Sequence, residues 1–194
     1  MEIRSYADYL RSLDDAALIA LFESRSDLTA PVPPDIASLA VRSSSIPSLV
    51  RAVDSLNRWQ LQVLEAAAVL SEPFTEKELL ACTDKSAKFA LSSLVDRALI
   101  YIGHDGYRLP NNVREILGNE IAGLGPVAAK KLKLKDLAEA PSASKKVLDA
   151  MVWGPPRGAV ADVQKPNPGL KWLLDEGFVS PVNQQTVVLH REVA

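Results

Sequence analysis

The chain has 194 residues, 47% of them hydrophobic, and a formal net charge of −2. That length admits one medium domain or two to three small ones, the slight acidity excludes a global attraction to nucleic acid, and no apolar stretch approaches the roughly 20 residues that span a membrane. Cys82 is the only cysteine, which excludes an intrachain disulfide and fits a reducing, cytoplasmic setting, and Met1-Glu2-Ile3-Arg4 lacks the apolar run of a signal peptide.

Residues 1–45 read as a helical segment. Ser5 caps a helix through Leu10, with Asp8 in the capping-box position. Asp14 opens a second helix whose apolar stripe is Leu18, Ile19, Leu21 and Phe22. A proline-rich turn from Asp27 to Pro34 follows, and Pro34 suits the first position of a helix holding Ile36, Leu39 and Ala40. Residues 46–118 read as a first domain. Ser45 and Pro47 start a helix with Leu49, Val50, Val53 and Leu56 on one face, and Asn57 caps the strongest helix, Arg58 to Leu70. Thr75 and Glu78 form a capping box for a short helix, and Thr83 or Asp84 starts one that runs to Arg97. Ala98 and two short strands complete the order helix, helix, helix, hairpin, which is a winged helix.

Residues 119–143 are rich in glycine and lysine and read as a linker with some helix from Ala128 to Ala140. Residues 144–194 read as a second, shortened winged-helix domain. A helix from Ser144 stops at Gly154-Pro155-Pro156, a loop from Arg157 to Pro166 replaces the middle helix, and Asn167-Pro168 opens the helix carrying Leu170, Leu173 and Leu174. The two domains share a written-out repeat. Leu94-Val95-Asp96-Arg97-Ala98-Leu99-Ile100 runs through His104-Asp105-Gly106 into Tyr107-Arg108-Leu109, as Leu173-Leu174-Asp175-Glu176-Gly177-Phe178-Val179 runs through Asn183-Gln184-Gln185 into Thr186-Val187-Val188-Leu189. Val63-Leu64-Glu65-Ala66-Ala67 and Val147-Leu148-Asp149-Ala150-Met151 extend the match upstream. The fold class is thus mainly α with small β wings: an N-terminal helical segment and two tandem winged helices. The last residues, from Val188 to Ala194, read as the start of a further helix and hence as the N-terminal fragment of a longer protein.

Several pieces in this order carry a family resemblance. They are Leu13-Asp14-Asp15 through Leu21, Arg25-Ser26-Asp27-Leu28 with Pro31, Pro33 and Pro34, Val63-Leu64-Glu65, Ala122-Gly123-Leu124-Gly125-Pro126, Gly154-Pro155-Pro156, and Leu174 to Val179 with Val187 to Val193. Together they resemble the helicase-associated domain proteins of actinobacteria, related to the N-terminal domain of XPB-type helicases. The resemblance covers nearly the whole chain, with His190 standing where proline is expected. It implies a winged-helix architecture and a nucleic-acid-linked role beside an XPB-type helicase or another repair or transcription protein. It carries no catalytic residues.

The residues themselves offer no enzyme site. Gly125-Pro126-Val127-Ala128-Ala129-Lys130 lacks the second glycine and the hydroxyl of a phosphate-binding loop. His104, His190 and Cys82 lack metal-ligand spacing, and Asp14-Asp15 sits at a helix start, where acids favour the dipole. No catalytic, cofactor or metal residue is expected, and no membrane or small-molecule substrate. Candidate nucleic-acid contacts are Lys88 and Arg108 in the first domain and Lys171 in the second. Ile121 to Leu132 also resembles a helix-hairpin-helix, in which Gly123 and Gly125 expose backbone N–H groups to a phosphate. Lys130, Lys131, Lys133 and Lys135 would add nonspecific attraction. The alternative is a linker with a solvated lysine run. Ser86, Ser92 and Ser93 dominate the first recognition helix, a poor base-reading surface. Trp59, Trp153 and Trp172 are read as packing residues. The expected function is a noncatalytic, DNA-binding accessory module; the other class is a protein-interaction scaffold that never touches DNA. Convergence of Lys130, Lys131, Lys133, Lys145 and Lys146 on one face would favour DNA, and a wide exposed apolar patch a protein partner.

Overall fold

The computed structural model describes residues 3–128, 132 and 134–193, so Lys130, Lys131 and Lys133 lie outside the described residues. The protein is mainly α-helical with two small antiparallel sheets, and it divides into two compact units, Met1–Ala122 and Gly123–Ala194.

The first unit contains α1 (Tyr6–Ser12), α2 (Asp15–Ser24), α3 (Ile36–Ser43), α4 (Ile46–Asp54), α5 (Arg58–Val69), α6 (Glu76–Ala81), α7 (Ala87–Asp96), strands β1 (Tyr101–Ile102) and β2 (Tyr107–Arg108), and α8 (Val113–Leu117). Short polar side chains start most of these helices. Ser5, Asp14, Asp35, Asn57 and Thr75 each accept a hydrogen bond from the backbone N–H three residues on. Asn57 with Gln60 and Thr75 with Glu78 complete capping boxes. Asp8 instead turns its carboxylate to Arg11, 2.9 Å away. Pro34 lies outside its helix because Asp35 is the better cap. The helix expected from Thr83 or Asp84 begins at Ala87, since the Asp84 carboxylate accepts the Ser86 N–H at 2.6 Å and holds a turn there. Ile19 and Val50, placed on apolar stripes by their spacing, face solvent at 58% and 41% exposure.

Two apolar clusters fill this unit. One joins Leu49, Val63, Leu64, Leu79, Leu91, Leu94 and Leu99. The other joins Leu10, Leu21, Leu28 and Leu39 to Ala98 and Tyr101, across the boundary expected after residue 45. Polar contacts follow the same route. The Tyr6 and Tyr9 hydroxyls donate to the Ala98 and Val95 carbonyls at 3.2 and 3.3 Å, and burial pushes the Tyr6 hydroxyl up to about 12.

The second unit contains α9 (Ser142–Val152), β3 (Arg157–Ala159), α10 (Pro168–Asp175), β4 (Val179–Asn183) and β5 (Thr186–Leu189). The loop expected from Arg157 onward begins as a strand, because Arg157 to Ala159 pair with Val188 to Thr186 of β5. The sheet order is β3-β5-β4. The first unit echoes it: Phe74, just before α6, bridges Tyr107 of β2 through reciprocal bonds of 3.1 and 2.8 Å. Of the helix expected over Ala128 to Ala140, a 3₁₀ helix at Leu134–Glu139 is formed. Gly169 lets α10 approach α9, where a Cβ would meet the Ala143 carbonyl at 2.8 Å. His190 donates its backbone N–H to Phe178, a bond that proline could not make. Residues 191–193 form a turn.

α7 and α10 end alike. After α7, Leu99 N–H reaches the Leu94 carbonyl at 2.9 Å and Ala98 N–H reaches Val95 at 2.8 Å; after α10, Phe178 reaches Leu173 at 2.9 Å and Gly177 reaches Leu174 at 3.1 Å. Both are Schellman motifs, with a left-handed residue between helix and strand: Ala98 at φ 51° and Gly177 at φ 77°.

Arg25, only 1% exposed, ties the first unit together. Its Nε donates to Asp27 Oδ1 at 2.8 Å and its Nη2 to Asp27 Oδ2 at 3.1 Å. Nη2 also meets Ser48 Oγ at 2.6 Å, and Nη1 reaches the Arg97 carbonyl at 3.3 Å. Ser48 Oγ donates in turn to Asp27. Burial pushes the Asp27 carboxyl up, but hydrogen bonds from Arg25 and Ser48 outweigh it and hold the group below the ordinary carboxylate value.

A depressed folded-state value means that the contribution of Asp27 is fully present above about pH 4, the ordinary carboxylate value, and is lost as pH falls from there through the lower folded-state value. Asp27→Asn leaves Arg25 buried without its charge partner and should cost on the order of 3 kcal/mol at pH 7 in urea unfolding. The variant should also lose part of the acid sensitivity; acid sensitivity equal to that of the wild type would place the titration elsewhere. Gly177→Ala meets no clash, its Cβ lying 3.9 Å from Leu132, so it should cost about 1 kcal/mol from the left-handed backbone alone.

Candidate nucleic-acid interface

The candidate contacts fall on three kinds of backbone. Lys88 projects from the first turn of α7, and Lys85 from the turn before it; both are exposed. Lys88 Nζ lies 3.4 Å from Glu76 on α6, a pair open to solvent on both sides and therefore worth little. Beside the two lysines stands Phe89, 82% exposed. The helix turns this ring outward because Ala87, Ala90, Leu91 and Leu94 occupy the buried face of α7. The remaining neighbours of Phe89 on the open side are Ser86, Ser92 and Ser93, of which Ser93 accepts from Gln60 at 2.8 Å.

Arg108, the candidate on the hairpin, is held by its own turn. Its Nη2 and Nε lie 2.9 and 3.3 Å from the Asp105 carboxylate. The bond to Arg108 holds the Asp105 carboxyl below its ordinary value, and Asp105 raises the guanidinium in return. His104 Nδ1 is 3.5 Å from the same carboxylate. Gly106, at φ 149°, lets this turn lie on the Phe74 carbonyl, which a Cβ would meet at 2.7 Å. The hairpin cation is thus internally compensated. Spacing alone could have raised this point, since Asp105 and Arg108 lie three apart across a tight turn.

In the second unit Lys171 is exposed on α10 and Lys135 is exposed on the 3₁₀ helix. The glycines are used differently from a phosphate-binding hairpin. Gly123 has φ 71° and open space around it, whereas a Cβ on Gly125 would sit 1.8 Å from the Leu189 carbonyl. The stretch from Gly125 to Ala128 lies along the chain after β5: Arg191 N–H donates to Pro126 at 3.0 Å, Arg191 Nε donates to Gly125 at 3.2 Å, and the Ala128 N–H meets both Glu192 carboxylate oxygens at 3.1 Å. A carboxylate therefore occupies the amide that a hairpin of this kind would offer to a phosphate. Ala128 and Leu132, within the stretch read as that motif, are not helical. Lys145 Nζ donates to the Ala138 carbonyl at 2.9 Å, and Lys146 is exposed.

The tryptophans divide. Trp59 is partly buried against the first core and Trp172 stacks on Phe178 at 5.6 Å, but Trp153 is 89% exposed. A cleft of about 400 Å³ lies against Arg25, Asp27, Arg51 and Ser55. It sits where α2 and α4 end, so its helix dipoles disfavour an anion, and Arg25 is spent on Asp27 and helix-end carbonyls. Among the described residues no group of three His, Cys, Asp or Glu is placed to hold a metal ion, and no helix is long and apolar enough to cross a membrane.

Against known proteins, no family model matches the chain, and no curated protein or solved structure matches it significantly.

The compensation of Arg108 can be tested directly. Asp105→Asn should free the guanidinium and steepen the plot of log affinity against log salt for duplex DNA by about 0.9, the slope of one neutralised phosphate. An unchanged slope in a variant that still binds would mean that this hairpin does not reach the backbone of the duplex.

Proposed function

We propose that this protein is a noncatalytic, nucleic-acid-associated accessory module built from two winged helices, of the type found beside XPB-type helicases in DNA repair or transcription. The observation that carries the reading is the topology used twice. In each unit a helix leads to a short strand or bridge, then to a second helix ending in a Schellman turn, and then to a hairpin whose second strand pairs with that first strand or bridge. That order supports the winged-helix reading, with the middle helix present in the first unit as α6 and replaced by an irregular segment in the second. The exposed face of α7, with Lys85, Lys88 and Phe89, supports a nucleic-acid role for the first unit. The compensated hairpin argues that phosphate contacts come from helices and from the lysine segment rather than from the wing.

The alternative reading is a protein-interaction scaffold, favoured by the 89% exposure of Trp153, since large aromatics anchor protein interfaces. Binding measured across a salt series with single-stranded, duplex and forked DNA separates the two. The accessory-module reading expects binding that weakens linearly in log salt. It also expects replacement of Lys130, Lys131, Lys133 and Lys135 by alanine to lower the slope by about 0.7–0.9 for each phosphate no longer neutralised. Absence of DNA binding even at low salt would make the scaffold reading the leading one, with capture of an XPB-type helicase as its own test.

A further inference from the structure

We infer that Phe89 is a stacking platform for an unpaired base, and that Lys85 and Lys88 hold the phosphates on either side of it, so that the first unit prefers single-stranded or locally opened nucleic acid to intact duplex. The inference rests on the nucleic-acid reading above and deepens it. A phenylalanine exposed to 82% leaves most of its ring in water, apolar surface that stacking would withdraw from solvent.

An aromatic that docks on protein normally sits within a contiguous apolar patch. Phe89 does not. Its neighbours on the open face of α7 are Lys85, Ser86, Lys88, Ser92 and Ser93, all polar, with Asp96 two turns further on; the acid nearest in sequence, Asp84, is engaged with the Ser86 N–H at 2.6 Å. One ring with two cations on its N-terminal side and hydroxyls around it on the helix matches a nucleotide better than a hydrophobic peptide. A base stacks on the ring whatever its identity, and its phosphates meet the ammonium groups. Glu76, 3.4 Å from Lys88, is the one acid paired at this face among the described residues. A phosphate displaces it at little cost, because the pair is exposed to solvent. Trp153 is more exposed, but Asp149 stands one helical turn before it and would repel a phosphate.

The test uses the full chain, a labelled single-stranded oligothymidylate and a hairpin duplex of equal charge. The wild type should bind the single strand more tightly. Phe89→Ala should weaken single-strand binding about tenfold, the scale of one base–aromatic stack, with the salt slope unchanged and duplex binding little affected. Phe89→Tyr should restore it. Lys85→Ala with Lys88→Ala should instead lower the single-strand salt slope by about 1.4, or about 0.7 per phosphate. Equal thermal unfolding of the variants would show that these exposed positions act on binding alone. If the wild type binds DNA and Phe89→Ala binds the single strand equally well, the stacking assignment falls and the accessory-module reading stands. If the wild type binds neither probe at low salt, both fall. Loss of a protein partner on Phe89→Ala, with DNA binding intact, would assign the ring to that partner and overturn the proposal.

Discussion

Between each helix that would face a ligand and the hairpin beside it, the chain must pass one residue through left-handed backbone. The rest of the architecture hangs on that reversal. It closes the helix by satisfying its last carbonyls, and it throws the next residue, Leu99 or Phe178, back onto Leu94 or Leu173. The core is thereby sealed at the point where the strand departs. In the second unit glycine takes this conformation at little cost. In the first unit Ala98 takes it with a Cβ, and the surroundings over-determine it: the side chain is buried among the N-terminal helices and the carbonyl accepts from Tyr6. The N-terminal helices therefore stabilise the turn that the second unit builds unaided.

The two units spend their charges unlike each other. In the first, Arg25 is consumed by the interior, Arg108 by its own turn, and Arg114 by Glu72 and the end of α5. The lysines at the start of α7 stay exposed, Lys88 only in a solvent-open pair with Glu76. In the second, the backbone from Gly125 to Ala128 is sewn to the chain after β5, and Gly125 is required by its close packing against Leu189.

Short-range chemistry was legible in the sequence, and long-range pairing was not. The caps at Ser5, Asp14, Asn57 and Thr75 could be read because cap and amide lie three residues apart. The repeated helix-end pattern could be read because Leu94 with Leu99 and Leu173 with Phe178 recur at one spacing. The strand at Arg157–Ala159 could not, since arginine, glycine and alanine have no strand preference and its extended form comes from pairing with β5. Nor could the burial of Arg25, because arginine defaults to the surface and its partners at 48 and 97 are remote. Phe89 carries no signal of its own in the sequence, and its exposure emerges when the helix phase is fixed by the buried Ala87, Ala90, Leu91 and Leu94.

The Arg25 knot also has a consequence for the order in which the chain can mature. The bond from Arg25 to the Arg97 carbonyl spans 72 positions. During vectorial synthesis the guanidinium, Asp27 and Ser48 emerge long before the end of α7 exists. Until that end and its hairpin are made, the first three helices have neither their last hydrogen-bond acceptor nor the Ala98–Tyr101 surface on which they close. The N-terminal helices are thus translated before the surface they close on, and nascent chains halted short of residue 100 would expose the apolar faces of α1 to α3 to whatever chaperone is at hand.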